Sequence, residues 1–257
     1  MPASDLALLI AAARAAGALA LGYDARTARR WDKPEGAGPV TEADIAVNDL
    51  LRARLGAARP AYGWLSEESE DDPARLGTSR VFIVDPIDGT SSFIGGSDIW
   101  AHSIAVAEAG EVIAAVVYLP KRDRLYAAAR GQGATLNGLP IRAGVTEALD
   151  GATVLAGKPL EDAAHWKACR PAFTRAHRPS LAYRLCLVAE GRFDAMMTLR
   201  PAWEWDIAAG DLILREAGAL TSDRAIRPLR FNNPAPLLDG VITANPVLHR
   251  EIAGALR

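Results

Sequence analysis

Apolar residues follow the period of a helix in the first part of the chain. The run Leu6–Leu21 comes after Ser4 and Asp5, either of which is a suitable N-cap. This pattern predicts a long amphipathic helix that reaches about Arg30. The next segment, Trp31–Pro39, is rich in Gly and Pro and is expected to be a loop.

A second helix and several short strands are expected over the following hundred residues. Thr41 is the predicted N-cap of a helix over Glu42–Leu55. Asn137-Gly138 predicts a tight turn between two strands. β-Branched and aromatic residues also concentrate in five short runs that predict strands, the last three forming an antiparallel meander: Tyr62–Leu65, Arg80–Val84, Ser103–Ala107, Val112–Tyr118 and Arg124–Ala129.

The pattern changes near Asp150, where strands begin to alternate with helices. The expected strands are Thr153–Gly157, Asp194–Thr198 and Gly240–Ala244, and the expected helices are Glu161–Arg175, Ser180–Glu190 and Asp206–Ala217. An antiparallel first half and an alternating second half indicate an α/β (α+β) fold. We predict two subdomains, residues 1–150 and 151–257, that form one rigid body.

Composition and charge exclude several classes of protein. The 257 residues are 50% hydrophobic and carry a formal net charge of −2, which argues against disorder and against binding a nucleic-acid polymer through a general basic field. The first apolar run is interrupted by Arg14 and is too short to span a membrane. Cys169 and Cys186 lack partners at metal-ligand spacing and are expected to be reduced, buried thiols. A cytoplasmic protein is therefore predicted.

Carboxylates follow the end of the predicted strand Arg80–Val84. Asp85 comes directly after the strand, and Pro86 interrupts the backbone hydrogen bonding. Asp88 follows one tight turn later, where Gly89 can adopt the positive φ that such a turn often needs. Taken alone, the Asp-Gly pair is more typical of a solvated surface turn than of a functional site.

The residues after this turn suit an anion. Thr90-Ser91-Ser92 has the composition of a first helical turn, whose free N–H groups attract phosphate. Carboxylate and carbonyl oxygens are the ligands that hard divalent cations prefer. The segment therefore offers groups for a metal ion and for a phosphate a few residues apart.

Two further acidic stretches follow the same logic. The stretch Ser66-Glu67-Glu68-Ser69-Glu70 comes directly after the predicted strand Tyr62–Leu65, so Glu67 could reach the same sheet edge. Asp206 stands at the predicted N-cap of an Ala-rich helix, next to Trp205. In isolation, a solvated acidic loop and a plain helix cap are the better interpretations of these two positions.

Together these stretches resemble the inositol monophosphatase superfamily. The run Asp-Pro-Ile-Asp-Gly-Thr-Ser-Ser-Phe from Asp85 to Phe93 is similar to the signature of that superfamily, and Trp205-Asp206 is similar to its second signature. Glu67-Glu68 resembles its acidic pair, and Thr41-Glu42-Ala43-Asp44 matches a further motif. The resemblance extends from the first predicted helix to the last predicted strand.

The resemblance implies a fold and a metal site. The implied fold is a layered αβαβα sandwich, with a mostly antiparallel amino-terminal sheet and a mixed carboxyl-terminal sheet. Members of the superfamily are Mg²⁺-dependent, often Li⁺-inhibited phosphomonoesterases that are commonly homodimers. By this resemblance two or three Mg²⁺ ions would be held by Glu67, Asp85, the backbone carbonyl of Ile87, Asp88 and Asp206.

The resemblance also implies catalytic and substrate-binding residues. A metal-bound water held by Glu67 and by Thr90, which is itself hydrogen-bonded to Asp44, would attack the phosphate in line. No covalent phosphoenzyme is expected. The implied substrate contacts are Gly89, Thr90, Ser91, Ser180, Arg184 and Glu204.

Three positions leave alternatives open. Arg178-Pro179 stands before Ser180 where the superfamily has glycine, and Glu204 replaces a small, neutral or His residue. Glu204 would either support the site from behind or bind substrate hydroxyls. Lys33-Pro34 lies where relatives have a mobile lysine-bearing loop near a metal, and Lys33 is equally compatible with a solvated lysine.

The substrate is expected to be a small phosphorylated metabolite. The run Ser180–Gly191 resembles most the bacterial 3′(2′),5′-bisphosphate nucleotidases (the CysQ-like branch), which implies a substrate like 3′-phosphoadenosine 5′-phosphate. Arg184 would meet its second phosphate or form an ion pair on a helix face. Inositol-1-phosphate is a close alternative, and fructose-1,6-bisphosphate is a weaker one. A hypothesis from another class is a non-catalytic regulator that has kept the fold.

Overall fold

The computed structural model describes residues 4–33 and 38–257. Ser4 and Thr41 cap the first two helices, as predicted. No helix in the described ranges has both the length and the apolar character to cross a membrane. Within those ranges the α-helices are α1 (Asp5–Ala20), α2 (Glu42–Ala58), α3 (Thr90–Ile94), α4 (Leu181–Ala189), α5 (Glu204–Glu216) and α6 (Pro246–Ala255).

The segment after α1 differs from the prediction. The helix ends at Ala20 and does not reach Arg30, because Asp24 accepts a hydrogen bond from the backbone N–H of Arg26 and so favours a turn over a helix. The prediction of a loop over Trp31–Pro39 is also wrong at both ends of that segment. Strands β1 (Arg30–Asp32) and β2 (Pro39–Thr41) pair as an antiparallel hairpin there.

The larger sheet has seven strands in sequential order, and the predicted meander is confirmed in it. Only its first pair is parallel; the other neighbours are antiparallel. Asn137 and Gly138 both have positive φ in the turn between the last two strands, as the sequence predicts. The strands are β3 (Gly63–Ser66), β4 (Arg80–Asp88), β5 (Ala101–Glu108), β6 (Glu111–Leu119), β7 (Arg124–Ala129), β8 (Ala134–Leu136) and β9 (Leu139–Pro140).

The smaller sheet has five strands and mixed directions. Its order is β11-β10-β12-β16-β14, and the first three of these strands are mutually parallel. Two of the remaining strands, β13 and β15, pair with each other outside it. The bounds are β10 (Thr153–Ala156), β11 (Thr174–Ala176), β12 (Ala195–Thr198), β13 (Ala202–Trp203), β14 (Leu220–Ser222), β15 (Leu237–Leu238) and β16 (Val241–Ala244).

Both faces of each sheet are buried, which produces five layers. In β4 the side chains of Val81 and Ile83 enter one core and those of Phe82 and Val84 enter another, as expected for alternating strand positions. Helices α1 and α2 cover one face of the larger sheet, α4 and α5 lie between the two sheets, and α6 covers the far face of the smaller one. The αβαβα sandwich is confirmed. The two sheets lie on either side of residue 150, and the domain boundary there stays a prediction.

One predicted helix does not form. In place of the predicted helix Glu161–Arg175, the chain forms 3₁₀ turns at Lys158–Glu161 and Ala163–His165 and then strand β11. Asp162 caps the second turn by accepting from the N–H of Ala164 at 2.9 Å, and Pro171 cannot donate the hydrogen bond that a helix interior requires. The prediction of two buried thiols is also half wrong, because Cys169 is exposed while Cys186 is buried.

Candidate active site

Strand β4 delivers two of the predicted carboxylates. It pairs with β5, and the register shifts between Asp85 and Asp88, around the proline that lacks a donor. Gly89 follows with φ +99°, the left-handed conformation that the sequence predicts for it. Helix α3 begins at the next residue, Thr90.

Helix α5 brings the third carboxylate to the same place. One oxygen from each of Asp85, Asp88 and Asp206 lies within 4.8 Å of the others. The helix begins at Glu204 with Trp203 as its N-cap, so Asp206 is inside the first turn and not at the N-cap as predicted. A hydrogen bond of 2.8 Å from the Ser103 hydroxyl on β5 to the carbonyl of Trp205 holds this turn against the larger sheet.

The three carboxylates, which we call the acidic cluster, repel one another in a buried setting. Burial, followed by the charges of Glu67, Asp88 and Asp206, raises the pKa of Asp85 well above its ordinary value. Burial and the neighbouring carboxylates raise the pKa of Asp206 in the same way. One oxygen of Asp85, Oδ1, is buried without a hydrogen-bond partner among the described residues. A buried anionic oxygen without a donor fits a hard cation such as Mg²⁺.

These pKa shifts predict how stability depends on pH. The ordinary pKa of Asp85 is 3.8 and its pKa in the folded protein is higher. The contribution of Asp85 to the free energy of unfolding is therefore complete below its ordinary pKa, and it is lost as the pH rises through its pKa in the folded protein. In thermal unfolding without Mg²⁺, we expect Asp85→Asn to weaken the fall of Tm that accompanies a rise of the pH above 3.8. Equal slopes for the variant and the wild type would contradict the assignment.

Glu67 lies beside the acidic cluster and is held by a lysine. The charge of its carboxylate contributes to the raised pKa of Asp85. The Nζ atom of Lys33 donates to Glu67 at 2.7 Å and to Glu68 at 2.6 Å. Burial and the charge of Glu67 raise the pKa of Glu68 to about 7, although Lys33 opposes the shift. Lys33 is therefore not a solvated lysine; Pro34, named with it, lies outside the described residues.

The predicted contact between Thr90 and Asp44 is present. The Thr90 hydroxyl lies 2.9 Å from Asp44 Oδ1 and 3.1 Å from the carbonyl oxygen of Ile87. Asp44 is fixed in turn, because its other oxygen accepts from both the N–H and the hydroxyl of Thr41 in a capping box. Burial raises the pKa of Asp44, and these hydrogen bonds oppose the shift. The α2 cap thus orients the Thr90 side chain.

Asp88 is held by the amino terminus of α4, which the sequence did not indicate. Its carboxylate accepts from the Ser180 hydroxyl at 2.7 Å and from the N–H groups of Leu181 and Ala182 at 3.1 and 2.6 Å. Ser180 is expected to be a substrate contact, but in the structure its hydroxyl donates a hydrogen bond to Asp88 and also caps α4. The sequence indicates only that Ser180 is a suitable N-cap for α4, and it does not indicate that Asp88 accepts the hydrogen bond of this serine.

Glu204 is the clearest correction among the predicted substrate contacts. It is fully buried, and its carboxylate accepts from the backbone N–H groups of Asn232 and Asn233 at 2.6 and 2.9 Å. Because no part of the Glu204 side chain is exposed, substrate hydroxyls cannot reach its carboxylate. Glu204 therefore joins the start of α5 to the segment before β15. Ser91 is exposed on the first turn of α3, next to Thr90.

Arg184 lies on α4 near the acidic cluster and forms no ion pair within 4 Å among the described residues. Its Nε atom donates to the carbonyl of Ser180 at 3.4 Å. Burial lowers its pKa, the charges of Asp88 and Asp206 oppose this, and Arg200 adds to it. The ion pair on a helix face, one of the two sequence hypotheses, is thus absent.

Comparisons with known proteins agree with this architecture. A model of the inositol monophosphatase family matches residues 2–257. The chain is 39% identical over 194 residues to the inositol-1-monophosphatase of Rhizobium meliloti, covering 72% of this chain and 71% of the relative. It is 34% identical over 231 residues to the Nus factor SuhB of Escherichia coli K12, covering 85% and 84%.

Two solved structures have the same fold over nearly the whole chain. The IMPase of Thermotoga maritima superposes with a TM-score of 0.82 at 27% identity, covering 97% of this chain and 95% of its own. The extragenic suppressor protein SuhB of Bartonella henselae gives 0.80 at 28% identity, covering 96% of each chain. This chain belongs to the inositol monophosphatase family.

Proposed function

We propose that this phosphomonoesterase requires Mg²⁺ and hydrolyses a small phosphorylated metabolite. The observation that carries the proposal is the acidic cluster, in which Asp85, Asp88 and Asp206 approach within 4.8 Å and Asp85 keeps a buried oxygen without a donor. Such an arrangement costs free energy unless a cation neutralises it. Because the acidic cluster destabilises the metal-free fold, its presence indicates a functional site and not a structural one.

The residues that would hold the metal are all oxygen donors. They are Glu67, Asp85, the carbonyl of Ile87, Asp88 and Asp206, and we propose that they hold two or three Mg²⁺ ions. When bound, Mg²⁺ neutralises the charge on the phosphate and lowers the pKa of water. Hard oxygen ligands on several carboxylates match its preference.

Thr90, Asp44 and Glu67 position the attacking water in this proposal. The Thr90 hydroxyl donates a hydrogen bond to Asp44, so the lone pairs of that hydroxyl point away from Asp44 and accept a hydrogen bond from water. The Glu67 carboxylate accepts the second hydrogen bond and then the proton. The water oxygen bonds to phosphorus as the ester P–O bond breaks. The leaving alkoxide takes a proton from solvent and Glu67 releases its proton to solvent, giving inorganic phosphate and an alcohol.

We propose a substrate like 3′-phosphoadenosine 5′-phosphate, with inositol-1-phosphate as the alternative. Arg184 supports the first, because it is a guanidinium beside the acidic cluster with no carboxylate partner among the described residues. Similarity to a protein named inositol-1-monophosphatase supports the second. The likeness to the CysQ-like branch stays a proposal, as do a homodimer, sensitivity to Li⁺ and a cytoplasmic location.

A regulatory role is a second candidate function. It is favoured by the 34% identity to a relative named Nus factor. A non-catalytic copy should have lost a ligand of the acidic cluster, whereas all the carboxylates of the site are present here. We therefore place catalysis first.

The proposed function is tested by the hydrolysis of a panel of phosphate monoesters with Mg²⁺ and with EDTA. The panel includes 3′-phosphoadenosine 5′-phosphate and inositol-1-phosphate, and kcat/KM is compared between the two. We expect release of inorganic phosphate that depends on Mg²⁺. Absence of metal-dependent turnover for every ester would reject catalysis and leave the regulatory role.

A further inference from the structure

His102 is a buried histidine that the proposed mechanism does not use. It lies on β5 with no exposed surface. Its Nδ1 atom lies 2.5 Å from the carbonyl oxygen of Pro86, which is one of the two residues between Asp85 and Asp88. The other ring nitrogen, Nε2, has no hydrogen-bond partner among the described residues. The ring therefore makes its polar contact with the backbone that joins two carboxylates of the acidic cluster.

This hydrogen bond lies at an irregular place in the pairing of β4 with β5. The register is regular up to Asp85 and resumes at Asp88. The two residues of β4 between these positions stand opposite a single residue of β5, His102. An extra residue in one strand disrupts the ladder locally. The His102 side chain donates to the carbonyl of Pro86 inside this disrupted stretch, where it adds a fixed contact.

The contact defines where the imidazole carries its proton. A carbonyl oxygen only accepts, so Nδ1 carries the proton and donates the hydrogen bond. A second proton on Nε2 would place a charge in the core without a partner. Burial accordingly lowers the pKa of His102 to about 4, although the hydrogen bond to Pro86 opposes the shift. Near neutral pH, His102 is therefore a neutral donor.

Aromatic neighbours hold the imidazole in its orientation. The ring centroid of Trp100 lies 5.6 Å from that of His102 with the planes at 74°, and the ring centroid of Tyr118 lies 6.4 Å away with the planes at 43°. Trp100 also packs edge-on against Phe93 of α3, with 5.3 Å between the centroids. Close packing around a buried ring restricts its rotation. The donor is thus oriented before any ligand binds.

Two side chains hold consecutive carbonyls in this turn. His102 donates to the oxygen of Pro86. At the next residue, Ile87, the carbonyl oxygen lies 3.1 Å from the Thr90 hydroxyl. The Ile87 carbonyl is one of the proposed metal ligands, and its direction depends on the preceding peptide plane, which His102 holds.

We propose that His102 is a positioning residue that fixes the backbone between Asp85 and Asp88 for Mg²⁺ binding. This inference rests on the proposed function. Hydrogen-bond partners behind a metal ligand orient it, and their removal commonly costs about 10–100-fold in metal affinity or activity. A residue that only fills the core would need volume at this position, whereas the proposed role needs a donor at the place of Nδ1.

Three substitutions separate the hydrogen bond from the packing. His102→Asn keeps an N–H donor near the place of Nδ1, His102→Gln moves the donor towards the place of Nε2, and His102→Leu has no donor. Mg²⁺ affinity is measured by calorimetry on the full-length chain. We expect the Gln and Leu variants to bind Mg²⁺ about 10–100-fold more weakly, and the Asn variant to stay within about threefold of the wild type.

His249 provides the matched control. It is also a buried histidine, and its Nε2 atom lies 2.9 Å from the Ser222 hydroxyl. It lies on α6, which covers the far face of the smaller sheet. We expect His249→Leu to leave the Mg²⁺ affinity unchanged even where it lowers Tm, which separates a general loss of stability from an effect on the metal site.

Nitrogen NMR shifts of the histidine-labelled wild type provide a test that needs no folded variant. We expect the neutral tautomer with the proton on Nδ1 at about pH 7. A proton on Nε2, or a charged ring, would overturn the proposal. Equal Mg²⁺ affinity in the wild type and all three variants, or an equal loss in the Asn and Gln variants, would also overturn it and leave the proposed function standing. A wild type that binds no Mg²⁺ would reject the proposed function and this role with it.

Discussion

Asp85→Asn is expected to lower kcat by about a thousandfold or more, because the buried oxygen left without a donor becomes part of a neutral amide that binds Mg²⁺ poorly. The same change should stabilise the metal-free protein. It removes one of the carboxylates that burial and mutual repulsion disfavour. Steady-state kinetics with saturating Mg²⁺ measure the first effect, and thermal unfolding in EDTA measures the second.

Asp85→Asn should lower kcat but raise the stability of the metal-free protein, so a loss of activity cannot be explained by unfolding of the variant. A gain of about 1 kcal/mol would raise Tm by roughly 2–4 °C in a chain of this size. Asp49→Asn is the matched control, because Asp49 is exposed on α2 and should change neither quantity. An Asp85→Asn variant with wild-type turnover, or one that unfolds more easily in EDTA, would show that Asp85 is not a metal ligand.

Thr90→Ala is expected to lower kcat by about a hundredfold, with a smaller effect on KM. The variant loses the hydroxyl that lies 2.9 Å from Asp44 and is proposed to orient water. Metal binding should survive, since no carboxylate of the acidic cluster is changed. The measurements are steady-state kinetics for kcat and calorimetry for Mg²⁺.

Thr90→Ser is the matched control for this prediction. It keeps the hydroxyl and removes only a methyl group, so we expect kcat within about tenfold of the wild type. If Thr90→Ala and Thr90→Ser lost activity equally, packing around α3 would explain the loss and the hydroxyl would have no specific role. Retention of full kcat by Thr90→Ala would also contradict the proposal.

The local part of the site was predictable from the sequence because it lies on one short segment. Asp85 and Asp88 lie in the last part of the β-branched strand β4, which extends past the predicted end at Val84, and Gly89 follows it. The positive φ at Gly89 is the conformation expected of glycine in such a turn. The convergence of Asp206 with these residues depends on packing α5 between the sheets. Resemblance to a known superfamily indicated that convergence, whereas the pattern of apolar positions alone did not.

Side-chain contacts between segments far apart in the chain could not be predicted from the sequence. Ser180 lies 92 positions from Asp88, and its capping role does not reveal that acceptor. Glu204 is a candidate site residue in the sequence because it stands where the superfamily has a small, neutral or His residue, just before Trp205 and Asp206. Residues two positions apart in a helix, however, point in different directions. Its carboxylate accordingly bonds to Asn232 and Asn233.

Two errors in the fold have local physical causes. Helical composition favoured one helix over Glu161–Arg175, but Pro171 and the capping of a short turn by Asp162 favour irregular structure and an edge strand. The first helix stops at Ala20 for a similar reason, since Asp24 supports a turn. In both places a short polar side chain competes with the helical hydrogen bonds.

A calorimetric titration of the metal-free protein with Mg²⁺ tests the central claim most directly. The account predicts binding of about two or three ions per chain, and it predicts that Asp88→Asn weakens or abolishes this binding while Asp49→Asn leaves it intact. A wild-type titration without any heat of Mg²⁺ binding, or an Asp88→Asn titration identical to the wild type, would contradict it.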